Sequence, residues 1–161
     1  MMIKKIILIL FISTYLIGNS FAAGSSDEPK TKSDYDKAVS LIKSAKKFEK
    51  KGENDKALDR YTKAQKLLIK SNEDKPLQAD TLNYLGFSTR KLGDFENGEK
   101  YYLLGLEIDP THIGINEYLG ELYVATQRIN LANERLEVLK SCNCEEYLEL
   151  KEIIDGTKTT K

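Results

Sequence analysis

Cys142 and Cys144 are the only two cysteines of the 161-residue chain, and their type and spacing make them its first candidates for chemistry. An even cysteine count favours a disulfide wherever the compartment is oxidising. A bridge across a single residue closes a small ring that reductants open comparatively easily. Free or intermolecularly bridged thiols and a redox or soft-metal pair are the other two states open to them. Glu145 and Glu146 weigh against the last, because adjacent negative charge disfavours the thiolate that both chemistries require. His112 is the one further imidazole; it follows Asp109-Pro110-Thr111 at a helix start and reads as a solvated turn residue rather than a ligand. One His and two Cys cannot complete a four-ligand zinc site without carboxylates, and no HExxH, Walker or GxGxxG pattern is present. With no convincing nucleophile-base pair, the chain reads as a non-enzyme without cofactor or metal. Its 25 basic and 25 acidic groups cancel, which excludes the basic excess that a nucleic-acid binder needs.

The elements that must position these residues begin after an N-terminal segment of different composition. Lys4 and Lys5 precede an apolar run over residues 6–17, followed by Asn19-Ser20-Phe21-Ala22-Ala23. This is the pattern of a positive n-region, an h-region and a small-residue cleavage site. The run is shorter than the roughly 20 apolar residues that cross a bilayer. Residues 1–22 are therefore expected to be a signal peptide cleaved after Ala22, with an uncleaved anchor as the alternative. Removing them leaves 139 residues with a net charge of −2, because Lys4 and Lys5 leave with the segment. Residues 23–34 carry little apolar side chain and read as a disordered leader. The folded domain is expected over 35–155 and a disordered tail over 156–161.

A repeat period of 34 runs through that domain. Leu85-Gly86 recurs as Leu119-Gly120, Gly98 as Ala132 and Tyr102 as Leu136. A unit of this length is a helix-turn-helix. With repeats placed at about 38–71, 79–112 and 113–144, the eighth, twentieth and twenty-seventh positions hold Ala45, Ala57 and Ala64, then Gly86, Gly98 and Gly105, then Gly120, Ala132 and Leu139. Each glycine in a helix interior costs about 0.8–1 kcal/mol relative to alanine. Such a cost persists where backbones must approach closely. Leu41, Phe48, Tyr61, Leu82, Leu85, Tyr102, Leu119, Tyr123 and Leu136 are the large residues expected to fill the space around these crossings. Gly52 and Gly93 are placed to end first helices, and Asp94 to cap the helix that follows. Residues 145–155 read as one more helix, shielding the open end of the stack as a cap.

Leu82, Leu85-Gly86, Gly93, Tyr102 and Pro110, then Leu119-Gly120, Tyr123 and Ala132, resemble the tetratricopeptide repeat family over about 38–144. The segment Cys142-Asn143-Cys144-Glu145-Glu146-Tyr147 after a third repeat is similar to that of small signal-bearing bacterial members. The resemblance implies an all-α fold: an α-α superhelix of three helix-turn-helix repeats plus a C-terminal capping helix. Departures are Ser44-Ala45 in place of Leu-Gly, seven extra residues over 72–78, Asn116 at an apolar position, Leu139 at a small one and Cys144 where Pro is usual.

The resemblance further implies a concave groove lined by the first helix of each repeat. The side chains it places there are Lys43, Lys46, Asn83, Tyr84, Phe87, Arg90, Glu117, Tyr118 and Glu121. Aromatics beside charges suit an extended peptide or a partner helix, although Tyr84, Phe87 and Tyr118 could instead fill the seam between repeats. The carboxylate-clamp pattern of the family's chaperone-binding members is absent, since the clamp positions hold Ile42, Lys46, Tyr84, Gly114 and Tyr118. Lys43, Lys46, Lys47, Lys50 and Lys51 form a basic run whose ordinary reading is a solvated face and whose sharper one is a contact for an acidic partner. The function expected is that of an exported scaffold, periplasmic or secreted, binding a protein or peptide partner without nucleic acid or stable membrane insertion. A small thiol redox or soft-metal protein using Cys142 and Cys144 is the alternative.

Overall fold

A computed structural model describes residues 32–159 of the chain; the expected signal peptide and all but the last residues of the expected leader lie outside them. Those residues form seven α-helices: α1 Asp34–Glu49, α2 Asn54–Asp74, α3 Ala79–Lys91, α4 Phe95–Ile108, α5 Ile113–Ala125, α6 Ile129–Leu139 and α7 Glu145–Ile154. α1 pairs with α2, α3 with α4 and α5 with α6 as antiparallel hairpins; each hairpin stacks on the next and α7 closes the stack on α5 and α6. The fold is thus an all-α superhelix of three helix-turn-helix repeats with a C-terminal capping helix.

Local chemistry sets the helix ends. Ser33 and Asp36 form a reciprocal capping box, the Asp36 amide donating to Ser33 Oγ at 3.1 Å and the Ser33 amide to Asp36 Oδ2 at 3.2 Å. α1 therefore starts at Asp34, four residues before the first repeat position, and half-buries Tyr35. Asp94 caps α4 by accepting from the Asn97 amide at 3.1 Å. Gly52 and Gly93 follow α1 and α3 with φ of 72° and 91°, the left-handed conformation that glycine adopts without a Cβ penalty. The same turn in the third repeat uses Gln127 at φ 62°. The seven extra residues do not form one loop: residues 72–74 extend α2, which leaves only 75–78 as the link to α3.

The small residues sit where helices cross. A Cβ on Gly86 would lie 2.5 Å from the Tyr102 ring, one on Gly105 2.4 Å from Ile115 Cδ1, and one on Gly120 2.5 Å from Leu150 Cδ2. These three glycines thus serve three different joints: within the α3/α4 hairpin, between successive repeats, and under the capping helix. Tyr61, Leu82, Leu85, Tyr102, Leu119 and Tyr123 are buried, as their spacing predicts. Leu41, Phe48 and Leu136 are only half-buried. Ile42 takes the core position in α1, because the α1/α2 crossing turns Ile42 inward together with Ala38 and Ala45. In α7 the anchors are Leu150 and Ile153, while Leu148 is exposed. Asn116 is buried at its apolar position and is satisfied by donating to the carbonyls of Pro110 and His112 at 3.1 and 3.0 Å.

Residues 156–159, within the expected tail, form a turn. Gly156 takes φ 73°, and the Thr157 and Lys158 amides both donate to Glu152 O, at 2.9 and 3.2 Å. This turn reverses the chain off the end of α7. The Lys158 Nζ then reaches Glu149 Oε1 at 2.8 Å. Among the described residues no helix is long and apolar enough to cross a membrane.

Candidate functional site

The first helices α1, α3 and α5 carry the nine residues expected to line a groove, and curvature decides their fate. Lys46 on α1 donates from Nζ to the Tyr118 hydroxyl on α5 at 3.0 Å, so the two helices flanking α3 converge across it. The same ammonium lies 4.5 Å from the Phe87 ring centre and 5.2 Å from that of Tyr118. Phe87 packs tilted against Tyr118 at 4.8 Å and edge-on against Tyr61 at 5.8 Å, and it is 0% exposed. Lys46 and Tyr118 therefore cover Phe87 rather than flank an open aromatic floor. Such cation-π contacts gain strength from partial desolvation, reaching about 2 kcal/mol.

Arg90 and Glu121 lie beneath this layer. Arg90 Nη2 donates to Glu121 Oε2 at 3.0 Å, with side chains 3% and 0% exposed. Burial works against the Arg90 charge, but Tyr102 and Glu121 outweigh it and hold its pKa above the ordinary value. Burial pushes the Tyr118 phenol up, and Glu117 and Glu121 add to the shift, so it stays a neutral hydroxyl able to accept from Lys46. Asn83 and Glu117 are buried too; Asn83 packs against the bare Cα of Gly114, where a Cβ would come within 2.7 Å of Nδ2.

Five of the nine expected groove residues, Asn83, Phe87, Arg90, Glu117 and Glu121, are thus buried in the seam between repeats. Lys46, Tyr84 and Tyr118 are half-buried and Lys43 is exposed. The reason is geometric: a tight superhelix turns inner-face positions into core where neighbouring first helices meet. The end of the inner face beyond Phe87 remains open.

That end is a cleft of about 590 Å³ lined by Lys46, Glu49, Lys50, Phe87, Lys91, Glu149, Lys158 and Thr159. α1 forms one wall and α3 the floor; the α7 residue Glu149 and the turn behind it form the other wall. Glu49 is held from two sides, accepting from the Tyr61 hydroxyl at 2.8 Å and pairing with Lys91 Nζ at 2.5 Å. Burial and this donation to Glu49 raise the Tyr61 pKa, so the phenol remains a donor. Four lysines against two glutamates give the cleft a positive balance. Glu49, Lys50 and Lys91 stand at the ends of the first helices α1 and α3, which the resemblance assigns to the groove, and Lys50 belongs to the basic run, so these three could have been found from that resemblance. Glu149 and Lys158 could not, because no periodicity signals the turn that brings them there.

Cys142 and Cys144 form a disulfide with Cα atoms 5.2 Å apart, at the joint between α6 and α7. In this bridge each sulfur is spent on the other, so a thiol or soft-metal role would require reduction first. Among the described residues no cluster of three or more His, Cys, Asp or Glu side chains could hold a metal ion. His112 is half-buried: its Nδ1 accepts from the Ile115 amide at 3.1 Å, which caps α5, and its Nε2 lies 3.1 Å from Asp80 Oδ1. Its role is structural, tying the start of the third repeat to the start of the second.

No protein-family model matches the chain, and no curated protein matches it. Several solved structures do. The first TPR domain of Spaghetti (RPAP3), bound to the HSP90 peptide SRMEEVD, is 23% identical with a TM-score of 0.49, the match covering 76% of this chain and 94% of that one. The first TPR domain of human RPAP3 is 22% identical with a TM-score of 0.49 over 75% and 92%. The Arabidopsis OM64 TPR domain is 14% identical with a TM-score of 0.49 over 78% and 99%.

Proposed function

We propose that this protein is an exported scaffold that binds an acidic protein or peptide segment in the cleft at the α1/α7 end of its inner face and carries no catalysis of its own. The observation that carries this reading is the cleft, in which Lys46, Lys50, Lys91 and Lys158 converge against only Glu49 and Glu149. Lys91 and Lys158 are pre-positioned by their glutamates. An extended acidic segment offers each of them a second carboxylate without dismantling that frame. The exposed lysines at 43, 47 and 51 continue the positive field along α1 and steer an acidic partner toward the cleft. The signal-like segment of residues 1–22 and the disulfide support an oxidising, exported setting.

Fluorescence anisotropy with a labelled oligoglutamate peptide, and oligolysine as the control, tests the reading. Oligoglutamate should bind with a salt-dependent affinity, and Lys50→Glu and Lys91→Glu should each weaken it severalfold. Equal binding of both peptides, or affinity unmoved by either substitution, would overturn it.

A further inference from the structure

We propose that the Cys142–Cys144 disulfide is a reducible latch that holds α7 and the turn after it in place as the far wall of the cleft, so that thiol-disulfide exchange regulates partner binding. This rests on the cleft reading for its consequence, but the latch itself stands on separate observations.

α7 is the shortest of the seven helices. It has 10 residues, fewer than the roughly 12–15 at which an isolated helix becomes even marginal in water. It buries two side chains, Leu150 and Ile153, and its first residue follows a cap position, Cys144, that supplies no side-chain hydrogen bond. What sets its entry is the covalent ring. Asn143, inside that ring, takes φ 50°, and the bridge across it defines the direction in which the chain leaves α6 and enters α7. Leu150 then seats on the bare Cα of Gly120, and the turn at Gly156 returns Lys158 to Glu149 at the mouth of the cleft. The disulfide, the pose of α7 and the cleft wall are therefore one mechanical series.

Both cysteines are half-exposed, so a reductant can reach them. A thiolate of a dithiol reductant attacks one sulfur, the Cys142–Cys144 bond breaks, and a mixed disulfide forms. The second thiol of the reductant then displaces the protein sulfur and leaves with its partner as a disulfide. Two electrons pass to the cysteines, which take up two protons and become thiols. The chain-entropy cost of closing a three-residue loop corresponds to about 15-fold in the docking equilibrium of the segment it constrains. The bridge is thus weak enough to be reversed and strong enough to shift a short helix.

Hydrogen exchange of the whole protein, oxidised and in dithiothreitol, reads the latch. Amides of α7 and of residues 156–159 should exchange up to about 15-fold faster when reduced, through an opening in which the α3 and α4 amides stay protected. The Cys142→Ser/Cys144→Ser protein should match the reduced state and ignore the reductant. Oligoglutamate affinity should fall about two- to fivefold on reduction, the worth of one exposed ion pair. Equal α7 exchange in the two states overturns the latch whatever the peptide does, and so does faster α7 exchange with unchanged peptide affinity as regards regulation. Absence of oligoglutamate binding in both states overturns the cleft reading instead, and the exchange comparison still decides the latch.

Discussion

Replacing Gly86 by alanine should destabilise the protein, although helix propensity taken alone predicts the opposite. In the interior of α3 alanine is favoured over glycine by about 0.8–1 kcal/mol. The new methyl, however, would lie 2.5, 2.6 and 2.8 Å from three atoms of the Tyr102 ring. Ordinary carbon contacts begin near 3.5 Å, so the ring would have to retreat by about 1 Å. Tyr102 is 0% exposed and has no solvent side to move into. Overpacking of this kind costs about 1–3 kcal/mol, which outweighs the propensity gain and leaves a net loss of up to about 2 kcal/mol. Urea unfolding followed by circular dichroism measures it, with Tyr102→Leu and the Gly86→Ala/Tyr102→Leu double variant closing a cycle. Removing the ring should make the alanine acceptable, so that the double variant is more stable than the two single losses would sum to. A Gly86→Ala protein more stable than the parent by about 1 kcal/mol would refute the claim that α3 and α4 cross at this residue.

Four other outcomes follow from contacts elsewhere in the structure. Arg90→Met should cost about 3–5 kcal/mol by removing the buried cation paired with Glu121 in the seam, and Arg90→Met/Glu121→Leu should recover most of that loss in urea melts. Asp34 bonds Lys70 and Lys37, which hold its carboxyl below the ordinary aspartate value; its contribution is present above that value and lost as pH falls through the depressed one, so Asp34→Asn should flatten the acid limb of stability against pH. Burial, with Asp80 nearby, pushes the Tyr35 phenol up to about 12, so its contribution holds below the unfolded value near 10 and is lost as pH rises through about 12; Tyr35→Phe should remove that transition from the tyrosinate absorbance. The Cys142→Ser/Cys144→Ser protein should lose only about 1.6 kcal/mol of stability, because the closed loop is three residues long.

The repeat period, the two glycine turns, the Asp94 cap and the small residues at the helix crossings could all be read from the chain. Each depends on local backbone chemistry or on a penalty visible in one dimension: a glycine inside a helix is costly wherever it occurs, so its recurrence at a fixed spacing marks a close approach. The groove residues could not be read in this way. Lys46, Phe87 and Tyr118 occupy inner-face positions in any such stack, and only the curvature that brings α1 to α5 decides that they bury one another.

The same division applies to the residues first singled out for chemistry. Cys142 and Cys144 could be singled out from the chain, but their spacing left a local bridge, free or intermolecularly bridged thiols, and a redox or soft-metal pair all open. What the pair does depends on distances the sequence does not encode locally: Leu150 on Gly120, and Lys158 beside Glu149 across from Lys46 and Lys50. Periodicity determined the helices and where they must touch. Tertiary packing decided which inner-face side chains became core and which lysines remained around a cleft, because burial is set by the angle between repeats and by the turn that folds the chain back behind α7.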